Sequence, residues 1–86
     1  MVEQQATVQN KLGIHARPSA LLVQEAAKFN ADITLCKDGL EINGKSIMGV
    51  MMLAAEVGSQ ILVRTAGTDE ADALEKMVEM IGSIFD

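Results

Sequence analysis

Asp32-Ile33-Thr34-Leu35-Cys36-Lys37-Asp38-Gly39-Leu40-Glu41-Ile42 decides how this chain folds. Ile33 and Leu35 alternate with Asp32, Thr34 and Cys36, the period of two expected when one face of a strand is buried. Asp38-Gly39 is a strong signal for a tight hairpin turn, because aspartate tolerates and glycine favours the backbone angles such a turn requires. Leu40 and Ile42 then bring the chain back as a second strand. The pair is antiparallel, and an antiparallel sheet needs cover on only one face.

On the N-terminal side of the hairpin, Asn30-Ala31 ends a stretch from Pro18 to Phe29 in which Leu22, Val23, Ala26 and Phe29 fall at helical spacing. Pro18 suits an opening turn, where the first N–H groups have no partner inside the helix to lose. The helix is therefore expected to open between Ala16 and Pro18. Before it, Val2, Gln4, Ala6 and Val8 alternate with Glu3, Gln5, Thr7 and Gln9 as a first strand, broken by Asn10-Lys11-Leu12-Gly13.

On the C-terminal side, Asn43-Gly44-Lys45-Ser46 is another break, and Ser46 is placed to cap a short helix from Ile47 to about Ala54. Ile61, Val63 and Thr65 alternate with Gln60, Leu62 and Arg64 as a fourth strand, ended by Ala66-Gly67. A last helix follows, with Thr68 or Asp69 as cap and Glu70 and Asp72 near the positive end of its dipole. Its apolar stripe is Leu74, Met77, Val78, Ile81, Ile84 and Phe85. The order βαββαβα predicts an α+β fold, a four-stranded antiparallel sheet with three helices on one face.

Composition narrows the function. Eighty-six residues, about half of them apolar, suffice for a single domain spanning 1–86. The net charge of -5 and the absence of Trp and Tyr argue against nucleic acid, whose readers are usually basic and offer aromatic platforms. The one cysteine, Cys36, cannot form an internal disulfide, and no leader or membrane-spanning run opens the chain, so a cytoplasmic protein without membrane insertion is expected. One His and one Cys cannot assemble a metal ligand set. Neither a metal nor a cofactor is expected, and Cys36 is read as an ordinary strand residue.

The chemistry concentrates in Lys11-Leu12-Gly13-Ile14-His15-Ala16-Arg17-Pro18-Ser19-Ala20, which holds the only histidine, the only proline and an arginine. At a helix entrance the backbone N–H groups of Ala16 and Arg17 point toward whatever sits there, and such an end binds anions. The same positive end disfavours imidazolium and so favours a neutral, nucleophilic imidazole. Arg17 adds a guanidinium fork able to hold two phosphoryl oxygens at once. Spacing alone nevertheless favours the plainer alternative of a loop histidine, a solvated arginine and a proline that merely punctuates a helix.

Resemblance decides between them. Gly13-Ile14-His15-Ala16-Arg17-Pro18 resembles the active-site motif of the HPr family, the phosphocarriers of the bacterial phosphoenolpyruvate:sugar phosphotransferase system. Lys45-Ser46-Ile47-Met48-Gly49-Val50-Met51-Met52-Leu53 resembles that family's regulatory serine segment, and the length and element order also match. The likeness implies the HPr open-faced β-sandwich. It further implies that His15 takes a phosphoryl group on Nδ1 from phosphorylated enzyme I and passes it to an EIIA domain or protein. Arg17 would correspond to the family's active-site arginine, and the protein would be a carrier and not an enzyme. Some members place a small polar residue where Leu12 stands and use it to help bind phosphate. Leu12 cannot do so and is expected to be a packing residue.

In the families of many low-GC Gram-positive bacteria and some others, an HPr kinase/phosphorylase modifies the serine that Ser46 matches. Phosphate there would act by charge, stabilised by the helix end yet repelling acidic partners. In the short helix Ile47, Val50 and Leu53 are expected to be partly core. Ile47, Met48 and Met51 are the candidate docking residues beside His15, with Leu21 or Leu22 of the first helix. A monomer is expected. Two alternatives fit less well: a carrier of the nitrogen-related branch of the same fold, against which the intact Lys45–Leu53 segment argues, and, from a different class, a purely regulatory binding module of the kind found in paralogues lacking the histidine, against which His15 argues. A free-standing hydrolase or kinase lacks a glycine-rich nucleotide loop and a nucleophile–base pair.

Overall fold

A computed structural model describes residues 1–84. Its elements are β1 (Val2–Thr7), α1 (Ala16–Ala26), β2 (Asp32–Lys37), β3 (Leu40–Asn43), α2 (Ile47–Met52), β4 (Gln60–Ala66) and α3 (Glu70–Ile81). The hairpin turn forms as expected, with Asp38 at φ 51° and Gly39 at φ 85°. It sets Lys37 opposite Leu40 and Thr34 opposite Asn43. The four strands are antiparallel in the order β1-β4-β2-β3, so β4 and β2 are central.

Alternation along β4 assigns the faces. Ile61, Val63 and Thr65 are buried, while Leu62 and Arg64 are half-buried on the other side. Ile33 and Leu35 pair with Thr65 and Val63 on the buried face. There they meet Leu22 and Ala26 of α1, Val50 of α2, and Ala73, Met77 and Ile81 of α3 in one core. Full burial of a Leu, Ile or Met side chain contributes roughly 1.5–3 kcal/mol. Thr65, buried on that face, is satisfied because its Oγ1 donates to the Glu70 carbonyl at 2.7 Å. On the open face Arg64 joins β1 to β3, its Nε and Nη1 donating to Glu3 and Glu41 at 3.1 Å each.

Helix ends differ from expectation for local reasons. The stretch to Phe29 closes at Ala26, because Lys28 and Phe29 donate to carbonyls three residues back and tighten the last turn. α2 stops at Met52 in place of Ala54: Leu53 and Ala54 make the same kind of bond, and Ala54 then turns out at φ 50°. Asp69 is the N-cap residue of α3, but its carboxylate does not cap the helix. It accepts instead from the N–H groups of Asn30 and Ala31, 2.8 Å each, and so fastens the α1–β2 turn to the start of α3. α3 ends at Ile81, so Ile84 lies beyond the helix and is exposed, and Phe85 lies outside the described residues.

Candidate functional site

α1 begins where the proline chemistry places it. His15 is the N-cap residue in extended conformation, Ala16 and Arg17 take the first two helical positions and Pro18 the third. Pro18 has no N–H to leave unmatched, so the outward-pointing donors of this turn belong to Ala16 and Arg17. The imidazole of His15 does not cap its own helix, and the His15 carbonyl accepts from Ser19 N–H at 2.9 Å. His15, Ala16 and Arg17 are exposed, whereas Pro18 and Ser19 are buried beneath them.

The turn before the histidine is held from across the molecule. Ile14 N–H donates to the carbonyl of Ala55 at 2.8 Å, and the Ile14 side chain is buried in the core. Gly13, at φ 75°, lies so close to that carbonyl that a Cβ would stand 2.3 Å from the Ala55 oxygen. The glycine is therefore needed both for its backbone angle and for its missing side chain. Through this contact the segment after α2 positions the histidine, and Met51 shares a shallow depression with His15, Ala16 and Ala55.

Ser46 is the N-cap of α2, its Oγ accepting from Gly49 N–H at 3.1 Å. The residue before it is also anchored, with Lys45 Nζ donating to the Phe29 carbonyl at 2.7 Å. In α2, Val50 is the buried position, and Leu53 just beyond it is buried too. Ile47, expected to be partly core, shares the face of Val50 but stands at the first position of the helix and is 45% exposed. Met48 and Met51 are exposed as expected. Met52, outside the expected docking set, is more exposed than Met51.

Two expectations are corrected. Leu12 is not a packing residue: it is 81% exposed, standing beside His15 in a second depression with Lys11 and Ile84. An apolar side chain in a turn carries no periodicity to show which way it faces. Leu22 cannot join a docking patch, since it is fully buried against the sheet, while Leu21 is half-buried. Cys36 is half-buried on the open face, and burial together with the nearby Glu41 carboxylate pushes its thiol up. Among the described residues no helix is long and apolar enough to cross a membrane.

A family model described as the PTS HPr component phosphorylation site matches residues 2–83. The chain belongs to the HPr family. Its relatives include the phosphocarrier protein HPr of Xylella fastidiosa strain Temecula1, 49% identical over 85 residues, covering 99% of this chain and 96% of that protein. The crystal structure of HPr from Bacillus anthracis superposes with a TM-score of 0.90 at 48% identity, covering 93% of this chain and 95% of that one. The family also takes in the HPr-like protein Crh of Bacillus subtilis, whose crystal structure, described as a domain-swapped dimer, gives a TM-score of 0.79 at 45% identity and covers 99% and 98%. These likenesses establish the open-faced sandwich and the phosphocarrier family of the phosphotransferase system.

Proposed function

We propose that this chain is a cytoplasmic phosphocarrier, one domain over residues 1–86 and monomeric when it works, that takes a phosphoryl group on Nδ1 of His15 from phosphorylated enzyme I and passes it to EIIA. The observation that carries this is the placing of exposed His15 as N-cap of α1, with the N–H groups of Ala16 and Arg17 turned toward the same end. In uptake the His15 Nδ1 lone pair attacks phosphorus as the donor's bond to phosphorus breaks; in delivery the acceptor's nucleophile attacks phosphorus and the His15 N–P bond breaks, returning the electron pair to the imidazole. The positive helix end and the Arg17 fork stabilise the charge on the phosphoryl oxygens during transfer and in the product. Ile47, Met48 and Met51 form the apolar docking surface; their exposure, and the depression that Met51 shares with His15, support that role. No step needs a bound metal or nucleotide, so the protein turns over only between partner enzymes.

Incubation with phosphoenolpyruvate and enzyme I, followed by intact-mass measurement, should give one acid-labile phosphoryl adduct. Uptake by His15→Ala would overturn the assignment.

The likeness to Crh and the capped Ser46 favour a second, regulatory role on the same chain. A phosphate on Ser46 would sit at a helix end that tolerates it, bringing about -1.5 to -2 charges beside the docking residues. Reaction with ATP and an HPr kinase/phosphorylase should give an acid-stable adduct, and none would leave Ser46 as a cap alone.

A further inference from the structure

We propose that the methionines of α2 are a site of reversible two-electron oxidation, and that their sulfoxides shut the docking face beside His15. Exposure separates the methionines of this chain sharply. Met48 and Met52 are 75% and 64% exposed and Met51 is 45% exposed, and Met1, paired through its amino group with Glu70 at the start of α3, is 68% exposed, while Met77 in the core is fully buried. Thioether oxidation follows exposure, so an oxidant reaching the folded protein meets Met1 and the α2 methionines before Met77, and of these only the α2 group adjoins the depression that holds His15. Met51 is also the docking residue that shares a depression with His15.

With hydrogen peroxide the step is balanced. The sulfur lone pair attacks one peroxide oxygen, the O–O bond breaks, the sulfide is oxidised to sulfoxide, and the other oxygen leaves as water after a proton shift. One thioether and one peroxide give one sulfoxide and one water. Cys36 is a poor competitor, since its half-buried thiol is held protonated by burial and by Glu41. The product replaces a soft apolar sulfur by a strong hydrogen-bond acceptor. A partner closing over α2 would have to bury that acceptor without a donor, which binding tolerates poorly. Thiol-dependent sulfoxide reductases restore the sulfide, which makes the change reversible.

The inhibitory effect rests on the carrier assignment above, whereas the oxidation site does not. The full-length protein is treated with limiting hydrogen peroxide and mapped by peptide mass spectrometry. Phosphoryl uptake from phosphoenolpyruvate and enzyme I is measured before treatment, after it, and after sulfoxide reductase. Met48, Met51 and Met52 should oxidise ahead of Met77, uptake should slow by about tenfold, and the reductase should restore it. A Met48→Leu/Met51→Leu/Met52→Leu variant, compared with itself before and after peroxide, should show no oxidant effect, while Cys36→Ser should remain sensitive. Oxidation of Met77 as fast as Met48, unchanged uptake with all three sulfoxides present, or persistent inhibition of the triple variant would each overturn the proposal. If the untreated protein takes up no phosphoryl group, the carrier assignment fails and the inhibitory effect with it, and the oxidation map still decides the site.

Discussion

Ile14 and Ala55, forty-one positions apart, are joined by a 2.8 Å backbone hydrogen bond that holds the turn before the histidine against the segment after α2. The proposed docking face on α2 and the proposed chemistry at His15 thus share one support. Gly13 lets the two backbones approach. Gly13→Ala must adopt φ 75° and place a methyl 2.3 Å from the Ala55 oxygen. Gly39→Ala meets the same kind of backbone penalty at φ 85° with open space around it. We expect Gly39→Ala to lose about 1–2 kcal/mol, and Gly13→Ala to lose more than about 3 kcal/mol because contact strain is added. Thermal unfolding of the two variants checks this, and equal losses would show that the Ala55 contact is immaterial.

Ala54 provides the complementary case, since it holds φ 50° without being glycine. The left-handed backbone is unfavourable for alanine, and replacing it removes that strain while adding flexibility to the unfolded chain. Ala54→Gly should raise stability by up to about 1 kcal/mol. A denaturation midpoint below that of the parent protein would contradict this.

The same contacts show what was legible beforehand and what was not. The Asp38-Gly39 hairpin, the alternation of Ile61, Val63 and Thr65, and the opening of α1 near Pro18 all follow from neighbours in sequence, and all stand as expected. The second reason for Gly13, its contact with Ala55, depends on a segment far along the chain. Leu12 misleads because apolarity in an irregular turn does not say which way a side chain faces. Asp69 looks like a helix cap, yet the approach of the α1–β2 turn offers its carboxylate two better-placed donors. Local periodicity therefore reveals the elements, and tertiary contact decides how their ends are used.

Asp69 makes stability depend on pH. The N–H of Asn30, with that of Ala31, holds its carboxyl below the ordinary value of 3.8, against a smaller opposing effect of burial. A carboxyl depressed in the folded state contributes stability that is present above its unfolded value and lost as pH falls through the folded one. Thermal midpoints should therefore decline below pH 3.8. Asp69→Asn, which does not titrate, should be less stable at neutral pH and show a shallower decline over that range. Parallel curves for the two proteins would remove Asp69 from the account.

Ser46 combines a cap with a proposed control site, and two substitutions separate the roles. Ser46→Ala deprives Gly49 N–H of its acceptor and should lower stability by about 1 kcal/mol. Ser46→Asp keeps a capping oxygen and adds a negative charge next to Ile47 and Met48. It should retain the parent's thermal midpoint yet slow phosphoryl exchange with enzyme I, an effect that weakens as salt is raised. Exchange at the parent rate at low salt would mean that charge at this helix end does not control docking.

Arg17 distinguishes a site built on backbone N–H groups alone from one that needs a guanidinium. It is exposed on the first turn of α1, so its replacement should shift stability by no more than about 0.5 kcal/mol. Loss of a charge-stabilising donor aimed at a phosphoryl group in transfer should slow uptake on His15 by roughly a hundredfold in Arg17→Ala. Lysine restores the charge without the two-pronged fork, so Arg17→Lys should fall between Arg17→Ala and the parent. Rapid-quench measurement of uptake from phosphorylated enzyme I orders the three proteins. If Arg17→Lys matches the parent, charge alone suffices; if Arg17→Ala does, the phosphoryl group is held by the N–H groups of Ala16 and residue 17, and Arg17 has no part in the chemistry.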